Sequence, residues 1–175
     1  MKPFLLLLTL PLALLLGCKK DAPDPAGQLP PATQTGANTL GCLVNGVPWT
    51  PQGNNGSSNY SVSYDQNPYG VLDARAYRYQ QPTDNFQYLI LFARELRGPK
   101  SYDLRDLVNT RVSWYDKLTG CDLSSDDANT YHKGTLTITR LDLQAGIISG
   151  TFAFTLAKPG CDTVRVTQGR FDKRL

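Results

Sequence analysis

Aromatic side chains supply the most abundant binding chemistry in this sequence, which contains 9 Tyr and 2 Trp in 175 residues. Trp114 and Tyr115 are adjacent, and neighbours on a strand point to opposite faces, so one of them is expected at the surface or at a rim. Exposed rings beside Asn, Gln and Asp can stack on sugar rings. The candidate ligand-facing aromatics are therefore Tyr77, Tyr79, Trp114 and Tyr115. Tyrosine is also a good strand former with a water-tolerant hydroxyl, and we favour this structural explanation over a glycan site.

Catalytic chemistry would have to use His132, the only histidine. A Ser-His-Asp or Cys-His site needs such a residue, but His132 follows a polar loop and no Gly-x-Ser-x-Gly turn accompanies it. A glycosidase needs two carboxylates across a cleft, and the only glutamate, Glu95, is flanked by Arg94 and Arg97. We therefore predict a chain that is not an enzyme and uses no cofactor. The alternative is a hydrolase based on His132 or on a pair of aspartates.

Acidic residues are concentrated in one segment, where Asp122, Ser124, Asp126 and Asp127 lie close together. Oxygen ligands at alternating positions could hold Ca²⁺. The segment lacks the central glycine and the distal glutamate of a recognised calcium loop. We therefore predict a polar surface loop and no metal site.

Cys18 lies where an apolar segment ends. Lys2 precedes this segment, which covers residues 4–16 and is too short for a membrane-spanning helix of about 20 residues, but fits a secretory signal. The sequence Leu-Leu-Gly-Cys that ends at Cys18 resembles the lipobox of bacterial lipoproteins, whose cysteine receives a diacylglycerol. We therefore predict a signal peptide over residues 1–17, cleavage before Cys18, and anchoring by acyl chains on that residue.

Three cysteines remain once Cys18 is assigned to lipid, an odd number for an oxidising compartment. Of the three pairings we favour Cys121–Cys161, because both residues lie in or beside turns (Thr-Gly-Cys-Asp and Pro-Gly-Cys-Asp). Cys42 is expected to be a small buried apolar residue within a strand. A zinc site is not expected, since the chain has one histidine and no Cys-x-x-Cys spacing.

The segment that follows the signal peptide predicts a tether. Residues 18–38 comprise the lipidated cysteine and a linker with four prolines and one large apolar side chain, Leu29. Such a composition buries too little surface to offset the entropy of ordering. Lys19 stands where the inner-membrane retention signal of enteric bacteria has Asp, so we expect a lipid-anchored protein of the cell envelope, in the outer membrane.

Charge argues against nucleic acid as a partner. The formal net charge is +3. Removal of residues 1–17 takes away Lys2 alone and leaves +2, with the arginines scattered along the chain. Nucleic-acid binding normally needs a dense basic patch.

Residues 39–175 predict one all-β domain, an antiparallel sandwich or a barrel-like fold. Apolar and polar residues alternate with period two, as in residues 135–139 and 151–156. Asn45-Gly46 predicts a hairpin turn, and Pro48 predicts a short or edge second arm. The predicted strands are 41–49 (the hairpin), 60–65, 70–79, 86–95, 101–104, 111–116, 134–142, 147–157 and 162–172.

Both ends of this domain carry a resemblance. The entry TLGCLVNGVPW at residues 39–49 and the segments GTLTITR, ISGTFAF and VTQGRFD in residues 134–172 are similar to a family of small Bacteroidota lipoproteins of unknown function. In that family a Cys/Val-Asn-Gly hairpin follows the tether, and an Ile-Ser-Gly-Thr-Phe strand pairs toward a final Gly-x-Phe-Asp strand. The resemblance implies class and location and carries no activity.

The sequence therefore predicts a non-enzymatic envelope lipoprotein with a binding or interaction domain. One alternative is a module that binds a glycan or another small ligand through exposed Tyr and Trp. Another is a structural component that binds an envelope protein, and a hydrolase is the third.

Overall fold

The computed structural model describes residues 24–175, which form eleven β-strands and one short 3₁₀ helix, Pro25–Gln28. No helix in this range is long and apolar enough to cross a membrane. The predicted signal peptide (1–17), Cys18 and the first linker residues lie outside the described residues. The strands are β1 (Thr39–Val44), β2 (Val47–Trp49), β3 (Tyr60–Asp65), β4 (Val71–Gln80), β5 (Asn85–Ala93), β6 (Lys100–Asp103), β7 (Thr110–Asp116), β8 (Cys121–Ser124), β9 (Tyr131–Asp142), β10 (Ile147–Ala157) and β11 (Val164–Arg174).

Two antiparallel sheets pack face to face, which confirms the all-β prediction and identifies the fold as a sandwich, not a closed barrel. The six-stranded sheet has the order β2-β1-β11-β10-β9-β6, and the five-stranded sheet has the order β3-β4-β5-β7-β8. Asn45-Gly46 turns β1 into β2 as predicted, and β2 is a three-residue edge strand that contains Pro48. Edge strands tolerate proline because the missing N–H faces outward.

The core lies between the sheets and is built by alternation along each strand. Leu89 and Leu91 of β5 and Leu136 of β9 are each 0% exposed. Trp49 and Trp114 meet edge to face with their ring centroids 5.6 Å apart, an arrangement that the ring quadrupoles favour. Every second residue of these strands is thereby removed from water, and the residues between them point outward.

The structure contains the predicted Cys121–Cys161 disulfide, with the two Cα atoms 5.8 Å apart. It joins β8 of the five-stranded sheet to the turn between β10 and β11 of the other sheet. Cross-linking residues 40 positions apart restricts the unfolded chain. Loop-closure entropy assigns a link of this length about 4 kcal/mol. Cys42 is buried and free, as predicted, and burial raises the pKa of its thiol to about 12.

One strand was missed. We expected a turn at Cys121 and a polar loop after it, but residues 121–124 form β8 and pair with β7. Cys121 and Leu123 alternate with polar residues and face the core, where Leu123 is 0% exposed. Two buried side chains and a ladder of backbone hydrogen bonds outweigh the turn preference of the surrounding Asp and Ser residues.

The prediction of a flexible linker through residue 38 is wrong for residues 29–38, which pack on the six-stranded sheet. Leu29 is 7% exposed. Pro30 lies so close to β1 that a Cβ on Gly41 would be 2.6 Å from its Cδ atom. Asp172 of β11 holds the rest of the segment, because its carboxylate accepts hydrogen bonds from the backbone N–H groups of Thr35, Gly36 and Ala37 at 2.9–3.0 Å.

This carboxylate also accepts hydrogen bonds from the hydroxyls of Thr33 and Ser149, each at 2.7 Å. Burial alone would raise the pKa of Asp172, but the hydrogen bonds that Ala37, Thr33 and Ser149 donate hold it well below its usual value. Composition could not reveal the contact between Asp172 and residues 33–37, because these residues are more than 130 positions apart in the sequence. Charged hydrogen bonds thereby offset the ordering entropy of a segment that has almost no apolar side chains.

Candidate functional site

The outward surfaces of the two sheets differ in chemistry. On the six-stranded sheet the outward side carries a patch of small residues, mostly threonine, with Lys133, Arg165 and Arg170 beside it. We call this patch the threonine face (Thr135, Thr137, Thr151, Ala153, Thr155 and Thr167). On the five-stranded sheet the outward residues of β4, β5 and β7 are largely aromatic, and we call this surface the aromatic face (Tyr79, Phe86, Tyr88, Phe92 and Tyr115). All five rings of the aromatic face are half-buried.

Phe86 lies at the centre of this aromatic face. Its ring centroid is 6.1 Å from that of Tyr88, 6.3 Å from that of Tyr115 and 6.4 Å from that of Tyr79. Strand register produces the cluster, since Tyr79 lies opposite Phe86 and Tyr88 lies opposite Tyr115. Rings at such distances support one another by edge and tilted contacts. The result is a continuous apolar surface formed by three adjacent strands.

Tyr77 was predicted to face a ligand, but the structure buries it at 4% exposure. Its ring packs 5.5 Å from that of Phe86, beneath the loop that precedes β3. Its hydroxyl donates to the carbonyl of Ser57 at 2.6 Å and accepts from the N–H of Asn55 at 3.2 Å. Tyr77 therefore lies on the same outward side of the sheet as Tyr88, but the loop covers its ring and removes it from the surface.

Trp114 and Tyr115 take opposite sides of β7, as neighbours on a strand must. Trp114 points inward and is 2% exposed. Tyr115 points outward and joins the aromatic face. Of the four aromatics predicted to face a ligand, only Tyr79 and Tyr115 lie together at the surface.

Phe86, Tyr88 and Phe92 were missed by sequence reasoning. The run Tyr88–Phe92 is apolar at every position, which is typical of a strand buried on both sides. β5 is central in its sheet, but its outward side is covered only in part. Residues 86, 88 and 92 are separated by even numbers of positions, so their rings lie on one side of the strand, the side that Tyr115 shares in the sheet. The even spacing was the signal that the sequence offered.

Three ion pairs surround the aromatic face. Asp73 accepts two hydrogen bonds from Arg75 at 2.6 and 2.8 Å, Arg111 pairs with Asp126, and Lys117 pairs with Asp84. The Arg111 guanidinium also lies 5.6 Å from the ring centroid of Phe92, within cation–π range. The hydrogen bond from Lys117 lowers the pKa of Asp84. Each cation of this rim has its own carboxylate, so the surface around the rings carries little net charge.

The other residues considered for chemistry are placed elsewhere. The Nδ1 atom of His132 lies 3.1 Å from the carbonyl oxygen of Thr130, beside the start of β9. In the acidic segment Asp126 pairs with Arg111, and Asp127 pairs with Lys158 at 2.8 Å. Within residues 24–175, no three Cys, His, Asp or Glu side chains come together as metal ligands would.

Comparisons of this chain with protein-family models, with curated proteins and with solved structures found no match. Its function has to be inferred from its own surfaces.

Proposed function

We propose that this chain is an exported lipoprotein, anchored through Cys18 in the outer membrane, whose sandwich binds an uncharged glycan on the aromatic face. One observation carries the proposal. Four aromatic rings, Tyr79, Phe86, Tyr88 and Tyr115, form a connected cluster on an outward sheet surface, whereas the other sheet of the same domain presents threonine. Binding, and not catalysis, is the role that this arrangement supports.

A surface cluster of this kind is costly unless it contacts something. Full burial of a Phe side chain contributes roughly 1.5–3 kcal/mol, and Phe86, which is only partly buried, forgoes part of that. The threonine face indicates that outward positions of this fold do not need rings. A pyranose offers a flat array of C–H groups that can cover an aromatic ring, and its hydroxyls can reach the polar rim.

Charge selects among possible ligands. A nucleic acid or an anionic polysaccharide would need unpaired lysines and arginines, because release of counterions supplies most of its binding energy. The rim cations Arg75, Arg111 and Lys117 are each paired with a carboxylate. An uncharged polymer leaves these ion pairs intact and gains its binding energy from contacts with the rings alone.

Two features support the location. The Cys121–Cys161 disulfide suits an oxidising compartment. Because residues 29–38 pack on the domain, only the chain from Cys18 to Leu29 can separate the domain from the lipid. Those eleven steps span at most about 40 Å. The anchor thereby keeps the domain within about 40 Å of the membrane.

Affinity gel electrophoresis tests the binding function. The chain lacking residues 1–17, with Cys18→Ser to remove the lipid site, is run through gels containing laminarin, xylan, mannan, dextran or alginate. We expect retardation by at least one neutral polysaccharide and none by alginate. A Tyr79→Ala/Phe86→Ala/Tyr115→Ala variant should lose about 100-fold in affinity, since each stacked ring contributes about 1 kcal/mol.

The matched control is Thr135→Ala/Thr137→Ala/Thr151→Ala on the threonine face, which should bind like the parent chain. Failure of every neutral polysaccharide to retard the parent chain, or equal loss in the two triple variants, would contradict the proposed function.

Anchoring is tested separately. Mass spectrometry of the chain expressed with residues 1–17 should show a mature N-terminus at Cys18 that carries acyl chains. Cys18→Ser should move the protein from the outer-membrane fraction to a soluble fraction. An unmodified Cys18, or cleavage at another position, would overturn the lipoprotein assignment without affecting the glycan site.

A further inference from the structure

A cleft of about 310 Å³ opens between the two sheets beside the β1–β2 hairpin, away from the aromatic face. This end cleft is lined by both tryptophans of the chain, by Val44, Pro48 and Val164, and by Arg78, Gln87, Asp116 and Asp162. Its volume lies at the small end of the range of ligand pockets, which have about 300–1,000 Å³. An apolar lining with a few convergent polar groups is the usual form of such sites.

A charged row crosses the wall of the end cleft. Arg78, Gln87 and Asp116 lie opposite one another on β4, β5 and β7 and face inward. Adjacent strands are about 4.8 Å apart, so the backbone positions of the cation and the carboxylate are separated by roughly 10 Å. Gln87 is fixed between them, since it accepts from the Trp49 indole N–H and donates to Asp116, both at 2.8 Å. The cleft therefore has a positive end and a negative end.

Arg78 forms the positive end without a counter-ion from the described part of the chain. Its guanidinium lies 5.6 Å from the Trp49 ring centroid and donates to the carbonyls of Thr50 and Pro48, both at 3.2 Å. Among residues 24–175, no carboxylate lies within 4.0 Å of it. Arg78 is half-buried, and this burial lowers its pKa. A guanidinium has five N–H donors in a fork that matches a carboxylate.

Two carboxylates form the negative end. Asp116 accepts hydrogen bonds from Gln87 and from the N–H of Leu118, at 2.8 and 2.9 Å. Asp162 enters from the turn before β11 and is exposed. Neither has a lysine or arginine within 4.0 Å in the range that the structure covers. Together they attract a cation and repel a second anion.

We propose that the end cleft is a second binding site, specific for a small zwitterion, an α-amino acid or a dipeptide. Its carboxylate binds the Arg78 guanidinium, its ammonium group lies toward Asp116 and Asp162, and its apolar part packs against Val44, Pro48 and Val164. The site is independent of the aromatic face, since it lies on the opposite side of β4, β5 and β7.

Other small ligands fit this charge pattern less well. A phosphate or a dicarboxylate would bring extra negative charge to Asp116 and Asp162. A neutral sugar would leave the half-buried Arg78 without an anion and would forgo the charge-assisted hydrogen bonds that a carboxylate offers it. A zwitterion of one carboxylate and one ammonium satisfies both ends at once.

Tryptophan fluorescence tests the proposal, because both tryptophans of the chain line the end cleft. The chain lacking residues 1–17, with Cys18→Ser, is titrated with each of the standard amino acids and with L-alanyl-L-alanine. We expect a saturable change with at least one of them. The N-acetyl derivative of that ligand, which lacks the ammonium group, and its amide, which lacks the carboxylate, should bind at least tenfold more weakly.

Variants locate the binding. Arg78→Gln should weaken the zwitterion at least tenfold, whereas Arg75→Gln, on the same strand but the opposite face, should leave its affinity unchanged. Asp162→Asn alters an exposed residue and should weaken binding severalfold in a chain that folds normally. Near-ultraviolet circular dichroism verifies the fold of each variant.

The outcomes separate this site from the glycan site. The Tyr79/Phe86/Tyr115 triple variant should retain zwitterion binding. The proposal is overturned if no amino acid or dipeptide changes the fluorescence, if the N-acetyl derivative binds as well as its parent, or if Arg78→Gln and Asp162→Asn bind normally.

Discussion

The outward residues of β9, β10 and β11 include many threonines, whereas those of β4, β5 and β7 include many aromatic residues, although both sheets pack on the same core with similar aliphatic side chains. Strand formation can use either chemistry, since β-branched and aromatic residues both favour sheets. The requirements of strand formation therefore do not account for the difference between the two surfaces. The threonine face is an internal control for the aromatic face.

A second difference concerns attachment. The six-stranded sheet carries the docked segment 29–38 through Asp172. The five-stranded sheet carries the ring cluster. One sheet thus carries the docked segment and the other carries the ring cluster, so changes in the two should have separable effects.

The largest expected effect comes from the link between the sheets. A Cys121→Ser/Cys161→Ser variant should lose about 4 kcal/mol of the free energy of unfolding, because the unfolded chain regains its loop entropy. Urea denaturation measures the loss. Glycan affinity below the unfolding transition should stay unchanged, since the rings belong to β4, β5 and β7. A large loss of affinity with little loss of stability would contradict this division.

Asp172→Asn should cost about 3 kcal/mol, since an amide replaces a buried carboxylate that accepts several hydrogen bonds and leaves some of their donors unpaired. Limited proteolysis should then cut within residues 29–38, which the parent chain protects. The aromatic face should bind as before. A variant that loses glycan affinity would show that the two sheets are not separable.

Lowering the pH should weaken the contact between Asp172 and the docked segment 29–38. The pKa of Asp172 is depressed in the folded state, so its contribution to stability is present above the unfolded pKa of about 3.9 and is lost as the pH falls toward the folded value. The difference in unfolding free energy between the parent chain and Asp172→Asn should therefore be constant near pH 7 and shrink below about pH 4. A difference that grows on acidification would contradict the sign of this linkage.

Single substitutions compare the faces directly. Phe86→Ala should lower stability by about 1–2 kcal/mol, because the ring is only half-buried, and should weaken glycan binding about fivefold. Thr137→Ala should change stability by less than about 0.5 kcal/mol and binding not at all. Thermal unfolding and gel retardation measure the two effects. Equal binding losses would remove the distinction between the faces.

Salt should have the smallest effect. Glycan affinity should change less than about twofold between low and high sodium chloride, since the rim cations are paired with carboxylates and an uncharged ligand releases no counterions. A steep fall in affinity with salt would indicate an anionic ligand instead.

Much of the fold followed from local patterns. The alternation in β9 and β10, the Asn45-Gly46 turn and the two Gly-Cys turns predicted the sheets and the disulfide, because turn type and period two act between near neighbours. The docked segment 29–38 did not follow, since its stability comes from Asp172, a partner at the other end of the chain. β8 was missed because its two inward-facing residues are too few to form a recognisable alternating pattern.

The candidate site was predicted only in part. Tyr79 and Tyr115 were identified from composition. Phe86 was not, because a central strand with apolar residues on both sides looks fully buried until the sheet is known to have an open face. The sequence did not predict the end cleft, because Arg78, Gln87 and Asp116 become neighbours only through the pairing of β4, β5 and β7.

Nuclear magnetic resonance of a chain labelled with ¹³C in Phe, Tyr and Thr tests the central claim most directly. A soluble oligosaccharide of the polymer that retards the chain is titrated into the labelled protein. The ring signals of Tyr79, Phe86 and Tyr115 should shift progressively, while the methyl signals of Thr135, Thr137 and Thr151 stay in place. Shifts confined to the threonine face, or rings that do not respond to a ligand that binds, would contradict the assignment of the aromatic face as the glycan site.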